Sequence, residues 1–211
     1  MKFIQKQSEP ENFKKWKEKT PMTFDHLNKE EFRRPIKSPL KKSLMQEQGY
    51  ICCYCESRII ENDSHIEHIK PQNLFPELDL DYQNMLCSCI GNRIAGAPIH
   101  CGHLKDRWYD ENLFVSPLDA NCETRFKFKK DGSISSADKN DNAATQTINK
   151  LGLDIPKLKA LRSAVINRFN SPDITNEELK KFVNDYLKKD VDQKWNPYWT
   201  TIRYLYKETV I

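Results

Sequence analysis

Thiols and imidazoles crowd one stretch of this chain. Six of its seven cysteines and four of its five histidines lie between Cys52 and Lys105, with an acid-histidine pair, Glu67-His68, between the cysteine sets. Cys52 and Cys55 have the C-x-x-C spacing of a knuckle, whose short turn aims two thiolates at one ion, and Tyr54 fits that turn. Cys53, Cys87, Cys89, Cys101 and His100 are the remaining nearby donors, so soft and borderline ligands alternate with a candidate base. Metal binding is the chemistry such a set supports, and an adjacent acid-histidine pair adds the means to move a proton. A thioredoxin-like dithiol would need a βαβ context with a helix starting at the motif. Here the motif instead follows a helix stop at Gly49 and precedes more ligands.

His65-Ile66-Glu67-His68-Ile69 alternates polar and apolar side chains as a strand does, and Lys70-Pro71 ends it. In a regular strand Glu67 and His68 point to opposite sides. Both serve one centre only if the strand bends or its end enters the site. A histidine near its ordinary pKa of about 6.5 is mostly neutral at pH 7 and can accept a proton.

Read in order, C-C-Y-C, S-H-I-E-H-I-K-P, Y-Q-N-M-L-C-S-C and H-C-G-H-L-K resemble an HNH nuclease. That resemblance implies an α+β fold: a ββα-metal core with structural zinc knuckles, embedded in a mainly α-helical scaffold. It selects Cys52, Cys55, Cys89 and Cys101 as the structural zinc ligands, with an insertion from Ile90 to His100 displacing the last, while Cys53, Cys87 and His100 remain substitutes. It makes His68 the general base and Glu67 an oxygen ligand for Mg²⁺ or Mn²⁺, although aspartate is more usual there. Asn84 supplies the middle letter and either ligates the ion or braces the loop that holds His68. His103 becomes a ligand or leaving-group contact, with Lys105 and Lys70 as phosphate contacts, and His65 is read as structural. A zinc ribbon used only for binding would need the thiols but neither Glu67-His68 nor Asn84.

Beyond the motif, the chain resembles the HNH effector subunits of Septu anti-phage systems, the PtuB-like family, and relatives encoded beside retrons. Glu47-Gln48-Gly49-Tyr50, Ile66-Glu67-His68-Ile69-Lys70-Pro71, Tyr82-Gln83-Asn84-Met85-Leu86, Val115-Ser116-Pro117-Leu118 and Thr147-Ile148-Asn149-Lys150-Leu151-Gly152-Leu153 carry this likeness. It implies an effector of an anti-phage defence complex that hydrolyses nucleic-acid phosphodiesters, DNA ahead of tRNA, under a PtuA-like ABC/SMC-type ATPase. The retron relatives add a reverse transcriptase and its DNA-RNA product as partners. A noncatalytic zinc adaptor that recruits nucleic acid to the ATPase is the alternative, and thiol redox catalysis a third reading.

The elements that must position these residues follow from periodicity. Phe13 and Trp16 share one face of a helix over Pro10 to Lys19, and Ser38-Pro39 is expected to cap a helix carrying Leu40, Leu44 and Met45 that stops at Gly49. Lysines with Arg33 and Arg34 make this arm basic, a solvated face or a nucleic-acid contact. Asp131-Gly132 marks a hairpin after Arg125 to Lys129. Helical patterns follow: one ends at Gly152, one carries Leu158, Leu161, Val165 and Phe169, one opens with a Thr175/Glu178 capping box, and a last one opens at Asn196-Pro197. These divide the chain into an arm (1–48), a nuclease core (49–115) and a hairpin with helices (116–211). Trp16, Trp195 and Trp199 are candidate docking aromatics, and Cys122 is read as a buried thiol.

With 211 residues and 38% hydrophobic content the chain can build a packed interior. A net charge of +4 is compatible with polyanions but decides nothing alone. No charged start leads into an apolar run, and no stretch of about 18 apolar residues occurs, so a cytoplasmic protein that does not span a membrane is expected. In a reducing compartment an odd number of clustered thiols favours metal over disulfides.

Overall fold

The alternation around Glu67 becomes a strand, β1 (Ser64–His68), paired antiparallel with β2 (Met85–Cys89) so that Ser64 faces Cys89 and His68 faces Met85. This is a computed structural model, and it describes residues 1–19, 22–90, 95–170 and 173–209. Part of the insertion expected between Ile90 and His100, residues 91–94, lies outside the described residues. All five β2 residues are buried, which explains why Met85-Leu86-Cys87 reads as a continuous apolar run.

Ahead of the hairpin, Phe13 and Trp16 bury the inner face of α1 (Glu11–Lys17). α2 (Glu30–Phe32) runs through a wide π-helical turn, Arg33–Lys37, directly into α3 (Ser38–Glu47). Ser38 therefore does not start a helix: its backbone is already helical, at φ −66° and ψ −49°, and its hydroxyl donates to the Glu61 carboxylate instead. Pro35 is the physical reason for the wide turn. It has no N–H, and its ring crowds the carbonyl four residues back, so the helix loosens by one residue without ending. Leu40, Leu44 and Met45 are buried along α3, as their spacing predicts.

After the hairpin comes a single turn, α4 (Gly102–Lys105). β3 (Phe126–Phe128) and β4 (Ile134–Ser136) form the second two-stranded sheet, turning at Gly132 with φ +84°. α5 (Asn142–Leu151) is capped by the Asp141 carboxylate and ends at left-handed Gly152. α6 (Pro156–Ile166) and α7 (Asn176–Tyr186) follow, and the Thr175/Glu178 capping box forms in full. α8 (Trp199–Leu205) starts later than Asn196-Pro197 suggests, because Tyr198 sits at φ +57° and cannot be a helical residue.

One apolar core joins Phe13, Leu44, Leu86, Phe126 and Leu151, crossing both segment boundaries drawn from the sequence, and a second gathers Ile166, Phe169, Val183, Tyr186 and Ile202. Trp16 and Trp199 are buried in their own chain, which removes them as docking aromatics, and Trp195 is half-buried. Cys122 is fully buried. No helix among the described residues is long and apolar enough to cross a membrane.

Candidate functional site

Four thiols from three places in the chain converge. Cys52 and Cys55 sit in a tight loop pinched by an isolated bridge between Ile51 and Arg58, with the Glu56 amide donating to the Cys52 carbonyl at 3.1 Å. Cys89 ends β2, and Cys101 immediately precedes α4. One ligand atom from each of the four lies within 4.8 Å of the others, and all four residues are buried. Cys55 Sγ and Cys89 Sγ are 3.7 Å apart, close to the edge of about 3.8 Å that tetrahedral Zn–S bonds of about 2.3 Å require. The donor set thus fits zinc in both softness and spacing.

Polar groups also face the sulfurs. The Cys89 amide donates to Cys52 Sγ at 3.4 Å, and His100 Nδ1 lies 3.1 Å from Cys101 Sγ. Hydrogen bonding to Cys101 pulls the Cys55 thiol down to about 6. Burial raises Cys101 within the cluster and, outside it, raises Cys53 and pushes Cys87 up to about 12, so an ion rather than the protein alone would have to hold the full set as thiolates. Cys101 (φ +56°), Glu56 (φ +63°) and Ile90 (φ +65°) hold left-handed backbone around the sulfurs. Such strain costs of order 1–3 kcal/mol per residue. An ion whose apparent binding free energy is roughly 10–16 kcal/mol offsets it.

β1 sorts the remaining candidates by face. On one side Glu67 is buried and receives the Tyr54 hydroxyl at 3.0 Å and the Lys105 ammonium at 3.1 Å, both on Oε1, while His65 Nε2 lies 3.3 Å from Oε2. Burial alone would push the Glu67 carboxyl up, but His65 and Lys105 hold it below the usual range and hence ionised. The same carboxylate outweighs burial at His65 and raises its pKa. His65 Nδ1 and His103 Nε2 both donate to the Ile90 carbonyl, at 2.9 and 2.7 Å, and the two rings sit 4.5 Å apart, tilted by 37°. Gly102 closes this side: a Cβ there would stand 2.3 Å from Glu67 Oε2 and 2.5 Å from His65 Nε2.

On the other face the His68 ring packs edge-on against Phe24 at 4.7 Å, and its Nε2 lies 2.9 Å from the Asp79 carbonyl. A carbonyl only accepts, so Nε2 carries the proton and Nδ1 keeps the lone pair. Burial pushes the His68 pKa below its ordinary value despite that bond. Asn84 is occupied as a brace: its Oδ1 accepts from the Lys70 amide at 2.8 Å, and its Nδ2 donates to the carbonyls of Lys70 at 3.0 Å and Leu78 at 3.2 Å. The loop bearing the Asp79 carbonyl is thereby tied to the strand that bears His68.

The two faces meet again at the end of the strand. Glu67 and His68 both line a cleft of about 260 Å³, with Asn73, Asp106 and Arg107 on its walls. Lys105, expected on a phosphate, is 1% exposed and donates inward to Glu67 and to the His68 carbonyl at 2.9 Å. The fold uses its charge to hold the acid in place, so a solvent-side phosphate contact is out of its reach. Lys70 is half-buried over the Phe75 and Tyr109 rings. Arg107 was not singled out by the sequence, and Tyr54 was read only as fitting the knuckle turn, not as a partner of Glu67. His65 could have been placed beside Glu67 from their i, i+2 spacing alone, since alternate residues share a face.

Comparison with known proteins adds a likeness over most of the chain. The chain is 29% identical over 201 residues, 87% of its own length, to a protein named "Retron Vc95 putative HNH endonuclease" of Vibrio cholerae serotype O1 biovar El Tor, covering 94% of that relative. That relationship supports a nuclease enzyme. No family model matches the chain.

Proposed function

We propose that this chain is an HNH endonuclease that hydrolyses nucleic-acid phosphodiester bonds, with zinc in the four-cysteine cluster and Mg²⁺ or Mn²⁺ in the cleft. The observation that carries the reading is the meeting of an ionised acid and a neutral imidazole, from opposite faces of β1, at one cleft beside a preassembled thiolate framework. We read antiparallel β1 and β2 followed by the short α4 as the ββα order that the HNH resemblance implies. The named relative, an HNH protein in a retron context, supports the same conclusion.

In this reading His68 Nδ1 takes the proton of a water as its oxygen bonds to phosphorus, and the ester P–O bond breaks to release an alcohol end. Asn84 and the Asp79 carbonyl keep the ring and its tautomer fixed. Glu67, with His103 behind its His65 neighbour, would hold the divalent ion, which when bound supplies neutralisation of charge on the phosphate oxygens and leaving group. His65 and Lys105 keep Glu67 ionised, and the Tyr54 hydroxyl helps aim it. The substrate is DNA, with tRNA next. Function is in anti-phage defence, with a PtuA-like ATPase as the controlling partner and, in a retron setting, a reverse transcriptase and its DNA-RNA product.

Purified protein incubated with plasmid DNA and total tRNA, with Mg²⁺, with Mn²⁺ and with chelator, tests the reading. Metal-dependent scission of one substrate that His68→Ala abolishes is the expected result. One observation favours a second reading, a zinc adaptor that binds nucleic acid without cutting it: the Glu67 carboxylate is fully engaged by Lys105, His65 and Tyr54. Binding without scission, alone and with the ATPase, would select the adaptor.

A further inference from the structure

Beside β1 the wide helical turn gathers cations. Arg33, Arg34, Lys37 and Lys41 line a groove of about 420 Å³ whose opposite rim is Glu61 and Asn62. The π-helical geometry set by Pro35 matters here: it brings Arg33, Arg34 and Lys37 onto one wide turn continuous with Lys41 on α3. These charges are poorly compensated. Arg33 has an exposed partner, Glu30, at 3.3 Å, whereas among the described residues no carboxylate lies within 4.0 Å of Arg34 or Lys37, and Lys37 is met only by the neutral Asn28 side chain at 2.6 Å. Lys41 gives its protons to the backbone carbonyls of Glu61 and Ser64. Burial and the neighbouring charges of Lys41 and Arg33 all disfavour the Lys37 ammonium, so an anion in the groove would relieve it.

The position of the groove decides which anion. Lys41 is anchored on Ser64, the first residue of β1. At the other end the Lys37 ammonium is 5.9 Å from the Phe24 ring, and that ring packs edge-on against His68, the last residue of β1. A row of positive charge therefore runs alongside the strand that ends at the proposed base. A polymer with regularly spaced phosphates matches such a row, whereas an acidic protein surface has no reason to be led towards His68.

We infer that the Arg33/Arg34/Lys37/Lys41 groove binds the phosphate backbone of the nucleic-acid substrate and leads it to the cleft at His68. The inference rests on the nuclease reading above and names the surface that reading lacks once Lys105 is found buried. Contacts of this kind carry affinity and little sequence preference.

The test uses zinc-loaded full-length protein carrying Arg34→Gln and Lys37→Gln, with Lys139→Gln/Lys150→Gln as a control at exposed lysines elsewhere. Binding of labelled duplex DNA and labelled tRNA is followed by anisotropy over a salt series. Removing two phosphate contacts should flatten the slope of log K against log salt by about 1.8 for duplex DNA, or about 1.4 if a single strand is bound. Arg34→Gln alone should give about half the change, and covers the case in which the double variant folds poorly. Metal-dependent hydrolysis of the small phosphodiester bis(p-nitrophenyl) phosphate should be unchanged in these variants, since it needs the cleft alone. An unaltered slope with intact scission by the parent protein overturns the groove and leaves the nuclease reading standing. Absence of both polymer binding and phosphodiester hydrolysis in the parent overturns both.

Discussion

A general base is useful only while it is unprotonated, and the surroundings of His68 favour that state. Burial depresses its pKa, so the folded protein holds a neutral imidazole at pH values where a free one begins to charge. The acid limb of cleavage should therefore lie below pH 6.5, and a pH–rate profile that turns over at or above 6.5 would contradict this placement. His68→Ala should lower the rate by roughly 10²–10⁴ while zinc content, measured by metal analysis, stays constant. Lys105 makes a different kind of prediction. Replacing it with Met strands the buried Glu67 charge, with His65 as its remaining cationic neighbour, and should cost about 3–5 kcal/mol in urea unfolding. A loss under 1 kcal/mol would mean that Glu67 is paired by other groups. At this scale Glu67 and His68 were legible as a pair, because an acid-histidine dipeptide in an alternating stretch has few structural uses. The inward turn of Lys105 was not. Lysine is rarely buried unless paired, and its partner lies 38 residues earlier in sequence, on a strand brought to it by β2.

Secondary elements here act as spacers of about one atom's tolerance. α4 can approach β1 closely only because Gly102 has no side chain, so Gly102→Ala should displace the Glu67 carboxylate and depress cleavage. Its signature is loss of rate with retained zinc, since Cys101 precedes the substituted position; a fully active Gly102→Ala protein would show that α4 can withdraw without consequence. Elements whose signals are local were readable in advance: the Thr175/Glu178 cap, the Gly152 stop and the Asp131-Gly132 hairpin each depend on chemistry within a few residues. The α2–α3 passage was misread for the same reason. Ser38-Pro39 has the local appearance of a start, but α1 packs against this segment, and Asn12 Nδ2 donates to the Pro35 carbonyl at 3.1 Å, holding the wide turn in a continuous helix. Tertiary contact overrode the local signal. The four-thiol set was legible from C-x-x-C and the HNH likeness together, with His100 beside it read as a substitute ligand, while the Ser57 and Ser88 hydroxyls around it were too common in type to be singled out.

Over the whole molecule, distant chain segments hold the knuckle, and the proposed ion would share that work. Chelation should unmask Cys52 and Cys55 to alkylating reagents and lower the melting temperature, because the ion's contribution of roughly 10–16 kcal/mol exceeds the net stability of many domains. Equal alkylation rates with and without chelator would argue that no ion is bound there. The C-terminal segment provides the rest of the cover. The Trp195 amide donates to the Gly49 carbonyl at 2.9 Å, the Tyr198 amide to the Glu56 carbonyl at 3.1 Å, and the hydroxyls of Tyr198 and Ser57 meet at 2.8 Å. Trp195 also lies so close over Gly49 that a Cβ there would stand 2.3 Å from its ring.

During synthesis, then, every sulfur emerges from the ribosome long before the lid that shields it. A nascent chain ending near Asp190 already carries all four metal ligands, yet its loop at Glu56 is still bare on the side that Trp195 and Tyr198 will cover. Oxidants and competing metals would have their access in that interval, which closes only when residues 195–198 have been translated and folded over the knuckle.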